Sequence, residues 1–252
     1  MKGIFLIHGF LSEMNEYDSI RFELAKRYDI ISSPTLPGHG KDGECDYRLF
    51  NKDDTFKLLL EEFDELERKC EIVDVMGFSM GGALATYLSQ TRKINKLILI
   101  APANYYFNPK ALITNTLYAY HIFKKIGKSI EKHPSMINSP YNDLKDAFLG
   151  DFHASKSFLV RKFIKTYIWK AYNEFRKIIQ TCNSNLVSIN NDTLILWGKL
   201  DQLVPKKSVE EIYKKCNQEK TKLKIYEEFT HLMLLSSNPE IIKIDILEFL
   251  DK

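Results

Sequence analysis

Val75-Met76-Gly77-Phe78-Ser79-Met80-Gly81-Gly82-Ala83 decides how this chain is read, because it sets G-x-S-x-G between two different kinds of segment. Residues 72–76 before it are a short, mostly apolar run suited to a strand buried on both faces, and residues 80–90 after it carry helical spacing. A serine turned out at so tight a strand-to-helix bend must adopt a strained backbone conformation, and glycines two positions to either side remove side chains that would collide. The helix beginning at Met80 then aims free amides and the positive end of its dipole at the space above the serine oxygen. Two plainer readings compete. One is a tight turn with an incidental serine, and the other a dinucleotide loop, which would need glycine where Ser79 stands.

The same two segment types recur on both sides of the bend. Apolar runs at residues 3–7, 96–100 and 193–197, with weaker ones at 28–33 and 223–226, alternate with helical spacing at 17–27, 55–69, 209–216 and 239–250. Such alternation predicts an α/β fold, a mostly parallel sheet of about six strands flanked by helices. It is broken once. Residues 103–191 contain no convincing strand and end in an amphipathic stretch with Val160, Ile164, Tyr167, Ile168, Ala171, Phe175, Ile178 and Ile179 at steps of three and four. Residues 1–102 and 192–252 are therefore expected to form the core. Residues 103–191 are expected to be a helical cap, inserted after the fourth strand over the carboxyl ends of the strands, where open α/β sheets bind ligands.

Composition narrows the possible partners. A chain of 252 residues, 44% hydrophobic and 27% charged, is long enough to fold around a core without disulfides or metals. Its 36 Lys+Arg against 33 Asp+Glu leave a formal charge of +3, too little to argue for nucleic acid. The charge is unevenly placed, however: residues 103–190 hold 13 Lys+Arg against 5 Asp+Glu, together with 15 Phe, Trp and Tyr residues. A basic, aromatic cap on an acidic core offers weak contact to anionic interfaces and apolar surface to a ligand. Cys45, Cys70, Cys182 and Cys216 are far apart, so neither a disulfide framework nor a metal motif is expected. The apolar start stops at His8 without a cleavage site, and no run reaches the ~18 residues of a membrane span, so a cytoplasmic location is expected.

A serine hydroxyl needs a base to take its proton, and the base needs a carboxylate to orient it. On a sheet of this type the partners follow in the order serine, acid, histidine. The strand at 193–197 runs through Gly198-Lys199-Leu200 to Asp201, which brings that acid to the same sheet edge as Ser79. Only His231 follows Asp201, so chain order excludes His8, His39, His121, His133 and His153. Each partner also has a plainer role open to it, Asp201 as a cap of the helix near Pro205 and His231 as a loop histidine. Glu227 and Glu228 lie too close to His231 in sequence to replace Asp201 comfortably, and Asp192 precedes its strand. The backbone N–H groups of Phe10, after the first strand, and of Met80 can face each other across an oxyanion.

His8-Gly9-Phe10, Leu36-Pro37-Gly38-His39-Gly40, Gly77-Phe78-Ser79-Met80-Gly81-Gly82, Trp197-Gly198-Lys199-Leu200-Asp201 and Thr230-His231 together resemble the α/β-hydrolase superfamily, over almost the whole chain except the cap. Within it, the chain most resembles bacterial carboxylesterases and monoacylglycerol lipases. The resemblance implies hydrolysis of carboxylic esters, of short or medium acyl chain or of monoacylglycerol type, through an acyl-serine, without metal or cofactor. It implies Ser79 as nucleophile, His231 as general base and acid, Asp201 as orienting acid, and Phe10 and Met80 as oxyanion donors. Two departures stand out. Against that resemblance the chain begins inside what is normally the third strand, so the leading antiparallel hairpin is expected to be either absent or truncated, and the lysine-rich cap leaves room for anionic acyl compounds. A menaquinone-pathway synthase, which performs an elimination on the same triad, is a second reading, but such enzymes resemble Gly-Gly-Arg where this chain has Gly81-Gly82-Ala83. A non-catalytic binding module of the same fold is a third.

Overall fold

The computed structural model describes residues 1–12, 14–40, 47–106, 169–201, 203–236 and 238–252. Among these, six strands form one sheet: β1 (Lys2–Ile7), β2 (Ile30–Ser32), β3 (Ile72–Phe78), β4 (Lys96–Ile100), β5 (Asp192–Gly198) and β6 (Thr221–Tyr226). The order across the sheet is β2-β1-β3-β4-β5-β6, and every neighbouring pair is parallel. Ile4 to Ile7, Val75, Met76, Leu97 to Ile100 and Leu194 to Leu196 are all buried, because helices cover both faces. Leu97 to Ile100 pair directly with Thr193 to Leu196, so the long segment between β4 and β5 leaves the sheet unbroken.

The covering helices are α1 (Asp18–Ala25), α2 (Lys52–Lys69), α3 (Met80–Thr91), α4 (Trp169–Asn185), α5 (Lys206–Lys215) and α6 (Glu240–Leu250). Helix α3 is buried on nearly every face because it lies between the sheet and α4. Small residues make that position possible: Gly81 lets the helix meet the backbone of Ile7 at the end of β1, and Gly82 lets it meet Pro102 after β4. Helix α4 turns Ala171, Phe175, Ile178 and Cys182 inward at steps of three and four, and packs on α3 and α2.

Two helices begin a turn earlier than the apolar spacing suggests. Helix α2 starts at Lys52, where Asn51 Oδ1 accepts the Asp54 N–H at 2.8 Å, and α5 starts at Lys206. In both, the first turn is polar and carries no periodic signal. Of the expected cap, residues 107–168 lie outside the described residues, as do Val160, Ile164, Tyr167 and Ile168 of its expected amphipathic stretch. Its described end, α4, joins the helices packed on the sheet, and Glu174 accepts the Lys52 N–H at the start of α2 at 3.0 Å.

Candidate active site

Ser79 stands between β3 and α3 with φ 54° and ψ −116°, a conformation a non-glycine residue adopts only under strain. Its backbone is held from three directions. The Ser79 N–H donates to Ile100 O at 2.9 Å, and its carbonyl accepts from Gly82 N–H at 3.0 Å and Ala103 N–H at 2.9 Å. The flanking glycines answer a packing demand: a Cβ at Gly77 would collide with the Gly81 carbonyl, and one at Gly81 with the Ile7 carbonyl. The first strand and the helix after the serine thus meet backbone to backbone.

Asp201 reaches the same edge through a loop lashed to its neighbour. Lys199 N–H donates to Tyr226 O at 2.8 Å and Leu200 N–H to Phe229 O at 3.0 Å, tying the loop after β5 to the loop after β6. The Asp201 carboxylate is then divided between two tasks. Its Oδ1 accepts Leu203 N–H at 2.8 Å and Val204 N–H at 2.9 Å, while Oδ2 lies 2.7 Å from His231 Nδ1. Asp201 does not cap the helix near Pro205, whose N-cap position is Pro205 itself with no side-chain hydrogen bond; its Oδ1 holds its own loop while Oδ2 faces the histidine. His231 Nε2 lies 2.9 Å from Ser79 Oγ, and all three side chains are buried. A proton on Nδ1, directed at the carboxylate, leaves Nε2 free to accept the serine hydroxyl hydrogen. Asp192 stands at the opposite end of β5, and Glu227 is engaged by Lys199 at 2.7 Å.

The loop after β1 completes this edge. Among the described residues neither the Phe10 N–H nor the Met80 N–H has a hydrogen-bond partner. The Phe10 ring packs on Phe50 at 5.5 Å and Phe175 at 4.9 Å between centroids, and Tyr106 meets Phe175 at 4.8 Å. An aromatic wall therefore continues from the loop onto α4.

His8, just after β1, and His39, in the segment after β2, are set aside as bases by chain order and are buried side by side with ring centroids 5.0 Å apart. Burial pulls His8 down to about 4 from 6.5, and burial together with the nearby His8 pulls His39 down to about 3. Their hydrogen bonds require the neutral form as well. Each accepts a backbone N–H on Nε2, from Leu36 at 3.0 Å for His8 and from Leu11 at 3.1 Å for His39. Each therefore carries its proton on Nδ1, directed at Gly9 O at 2.8 Å for His8 and Pro37 O at 3.0 Å for His39. Glu16, also buried, accepts the Gly9 N–H at 3.1 Å and the Ser12 hydroxyl. Sequence reasoning missed these roles; the one signal that could have pointed to His39 is the Pro37-Gly38 pair before it, a turn-forming dipeptide.

Among the described residues no group of three His, Cys, Asp or Glu side chains is close enough to hold a metal ion, and no helix is long and apolar enough to cross a membrane.

Comparison with known proteins agrees with this architecture. A carboxylesterase of Bacillus subtilis (strain 168) is 22% identical over 253 residues, spanning 100% of this chain and 93% of its own. A thermostable monoacylglycerol lipase of Bacillus sp. (strain H-257) is 31% identical over 88 residues, 35% of each chain. Among solved structures, a metagenome-derived lipolytic enzyme of the LipS and LipT pair superposes with a TM-score of 0.69 at 16% identity, over 99% of this chain and 93% of that one. A soluble variant of the monoglyceride lipase of Saccharomyces cerevisiae gives 0.64 at 16% identity, over 99% and 86%. Identities this low speak to a shared fold alone. The family model for serine aminopeptidase, S33, matches residues 2–238, from the first strand to the threshold of α6. On that match the chain belongs to the S33 family of α/β hydrolases.

Proposed function

We propose that this protein is a serine hydrolase that cleaves carboxylic esters through an acyl-serine intermediate. The observation that carries the reading is the hydrogen-bonded line from Ser79 Oγ to His231 Nε2 at 2.9 Å and from His231 Nδ1 to Asp201 at 2.7 Å. In the proposed reaction, His231 Nε2 takes the hydroxyl proton as Ser79 Oγ bonds to the ester carbonyl carbon. Asp201 holds the ring in the required tautomer and stabilises the imidazolium that forms. The carbonyl oxygen gains the negative charge and is met by the N–H groups of Phe10 and Met80. Collapse of the tetrahedral species breaks the carbon–oxygen bond to the alcohol, which leaves with the proton from His231. A water molecule, deprotonated by His231, then attacks the acyl-serine, and the carboxylic acid departs as Ser79 regains its proton.

The aromatic wall of Phe10, Phe50, Phe175 and Tyr106 supports an apolar acyl or alcohol group beside the serine. The carboxylesterase relative, alignable along the whole chain, supports the same chemistry. An aminopeptidase reaction would need a carboxylate for the substrate ammonium, and among the described residues at this edge Glu16 and Asp201 are both engaged by protein donors. We further propose that residues 103–191 cap the site and admit the substrate.

Fluorophosphonate labelling, run beside p-nitrophenyl esters from acetate to palmitate and amino-acyl p-nitroanilides, tests the reading. It expects a labelled serine and turnover of the esters. Folded protein that is neither labelled nor active would favour a binding module, and preferential anilide cleavage would favour a peptidase.

A further inference from the structure

The Pro-Gly-His-Gly segment takes no part in the chemistry proposed above, yet it is built into the loop that carries Phe10. Leu36, Pro37, Gly38 and His39 form a turn closed by His39 N–H on Leu36 O at 3.0 Å, with Gly38 at φ 75°. Proline in the second place and a positive-φ glycine in the third are what a type II turn requires. The turn delivers the His39 ring into a buried position against Phe10, Tyr47 and Phe50. There its Nδ1–H is spent on Pro37 O, so the Nε2 lone pair is left for the Leu11 N–H at 3.1 Å.

That bond sits at a strained point. Leu11 has φ 56°, a left-handed conformation that a branched aliphatic residue adopts only when its surroundings enforce it. The residue before Phe10 is fixed as well, since Gly9 N–H donates to Glu16 at 3.1 Å and Gly9 O accepts from His8 at 2.8 Å. Of the three consecutive amides of Gly9, Phe10 and Leu11, the outer two are taken by buried side chains and the middle one is not.

We infer that His39 is a positioning residue for ester hydrolysis: by accepting the Leu11 N–H it locks the turn that presents the Phe10 amide to the developing oxyanion, with Glu16 holding the other side. This inference rests on the ester-hydrolase reading. His39 touches no reacting atom; it acts through the backbone of Leu11, and its contribution belongs to the transition state rather than to substrate binding.

Two substitutions separate hydrogen bonding from packing. Leucine at position 39 fills apolar space without an acceptor, whereas the side-chain oxygen of glutamine can stand in for Nε2. In the full-length protein, His39→Leu should lower kcat about 10- to 100-fold with KM changed less than about 3-fold, because a misplaced oxyanion donor is felt mainly at the transition state. His39→Gln should keep kcat within about 3-fold of wild type by the same reasoning. A trifluoromethyl ketone, which forms a tetrahedral oxyanion adduct with the serine, should lose affinity for His39→Leu in step with kcat. Two-bond proton–nitrogen spectra of the wild-type protein at neutral pH should show His39 protonated on Nδ1 with Nε2 as acceptor, a readout that holds even if His39→Leu does not fold. Wild-type kcat in His39→Leu, equal losses in both variants, or an Nε2–H tautomer would each overturn the inference and leave the ester-hydrolase reading intact. A wild-type protein that neither turns over esters nor takes a fluorophosphonate would overturn that reading, and this inference with it.

Discussion

Ser79, His231 and Asp201 come from three loops whose meeting follows from the sheet, since strands β3, β5 and the end of β6 all deliver their next residues to one edge. This much was legible in the sequence, because a parallel sheet with right-handed connections leaves few places for the residue after each strand. The loop-clamping side chains were not legible. His39 acts on Leu11 and His8 on Leu36, pairs separated by 28 residues whose contact exists only once β1 and β2 lie side by side. The two neutral histidines also make a testable statement about stability. Their folded values, about 4 and about 3, lie below the ordinary 6.5, so between those limits the unfolded chain binds protons that the folded chain does not. Stability is then fully present above pH 6.5 and lost as pH falls, by up to about 3 kcal/mol per pH unit for the two groups together. Urea midpoints taken from pH 7 to 4 should follow that decline, and His39→Gln should remove roughly half the slope, one proton of two. An unchanged slope in that variant would show that His39 is not held neutral.

At the scale of elements, the strands were the easier part to read, because β1, β3, β4 and β5 are buried on both faces and their apolar runs are nearly continuous. The apolar run at 28–33 is longer than β2, Ile30–Ser32, because Tyr28 is buried without joining the ladder; its hydroxyl donates instead to Asp74 at 2.6 Å. The starts of α2 and α5 lie ahead of the apolar spacing for a different reason: their first turns are polar, and of the two α2 carries a side-chain cap. Helix α2 gives this a measurable form. Asn51 accepts the Asp54 N–H at 2.8 Å, so Asn51→Ala should lower stability by about 1 kcal/mol in urea unfolding. Asn51→Ser, which keeps an acceptor without setting a second carboxylate against Asp54, whose Oδ2 accepts from Asn51 Nδ2 at 2.7 Å, should cost less than about half as much. Equal losses would mean that the side chain acts otherwise than as a cap.

Charge divides the chain unevenly. Residues 103–190 carry 13 Lys+Arg against 5 Asp+Glu on a chain whose total is only +3, so the remainder is acidic. If this segment caps the site, its field should attract anionic substrates to the serine and be screened over about 8–10 Å at physiological salt. We expect kcat/KM for an anionic ester to fall as salt is added, while that for a matched neutral ester stays nearly constant. Equal responses would show that the lysines are a solvated surface, and would leave the chemistry at Ser79 untouched. Acylation of Ser79 can be caught by rapid acid quench of a p-nitrophenyl ester reaction within a single turnover, followed by digestion and mass spectrometry. The acyl-serine route predicts the acyl mass on the peptide containing Ser79, no adduct in Ser79→Ala, and a loss of at least ~10³-fold in kcat for that variant. Turnover without an acyl adduct, an adduct on another residue, or a Ser79→Ala variant that keeps half its activity would contradict it.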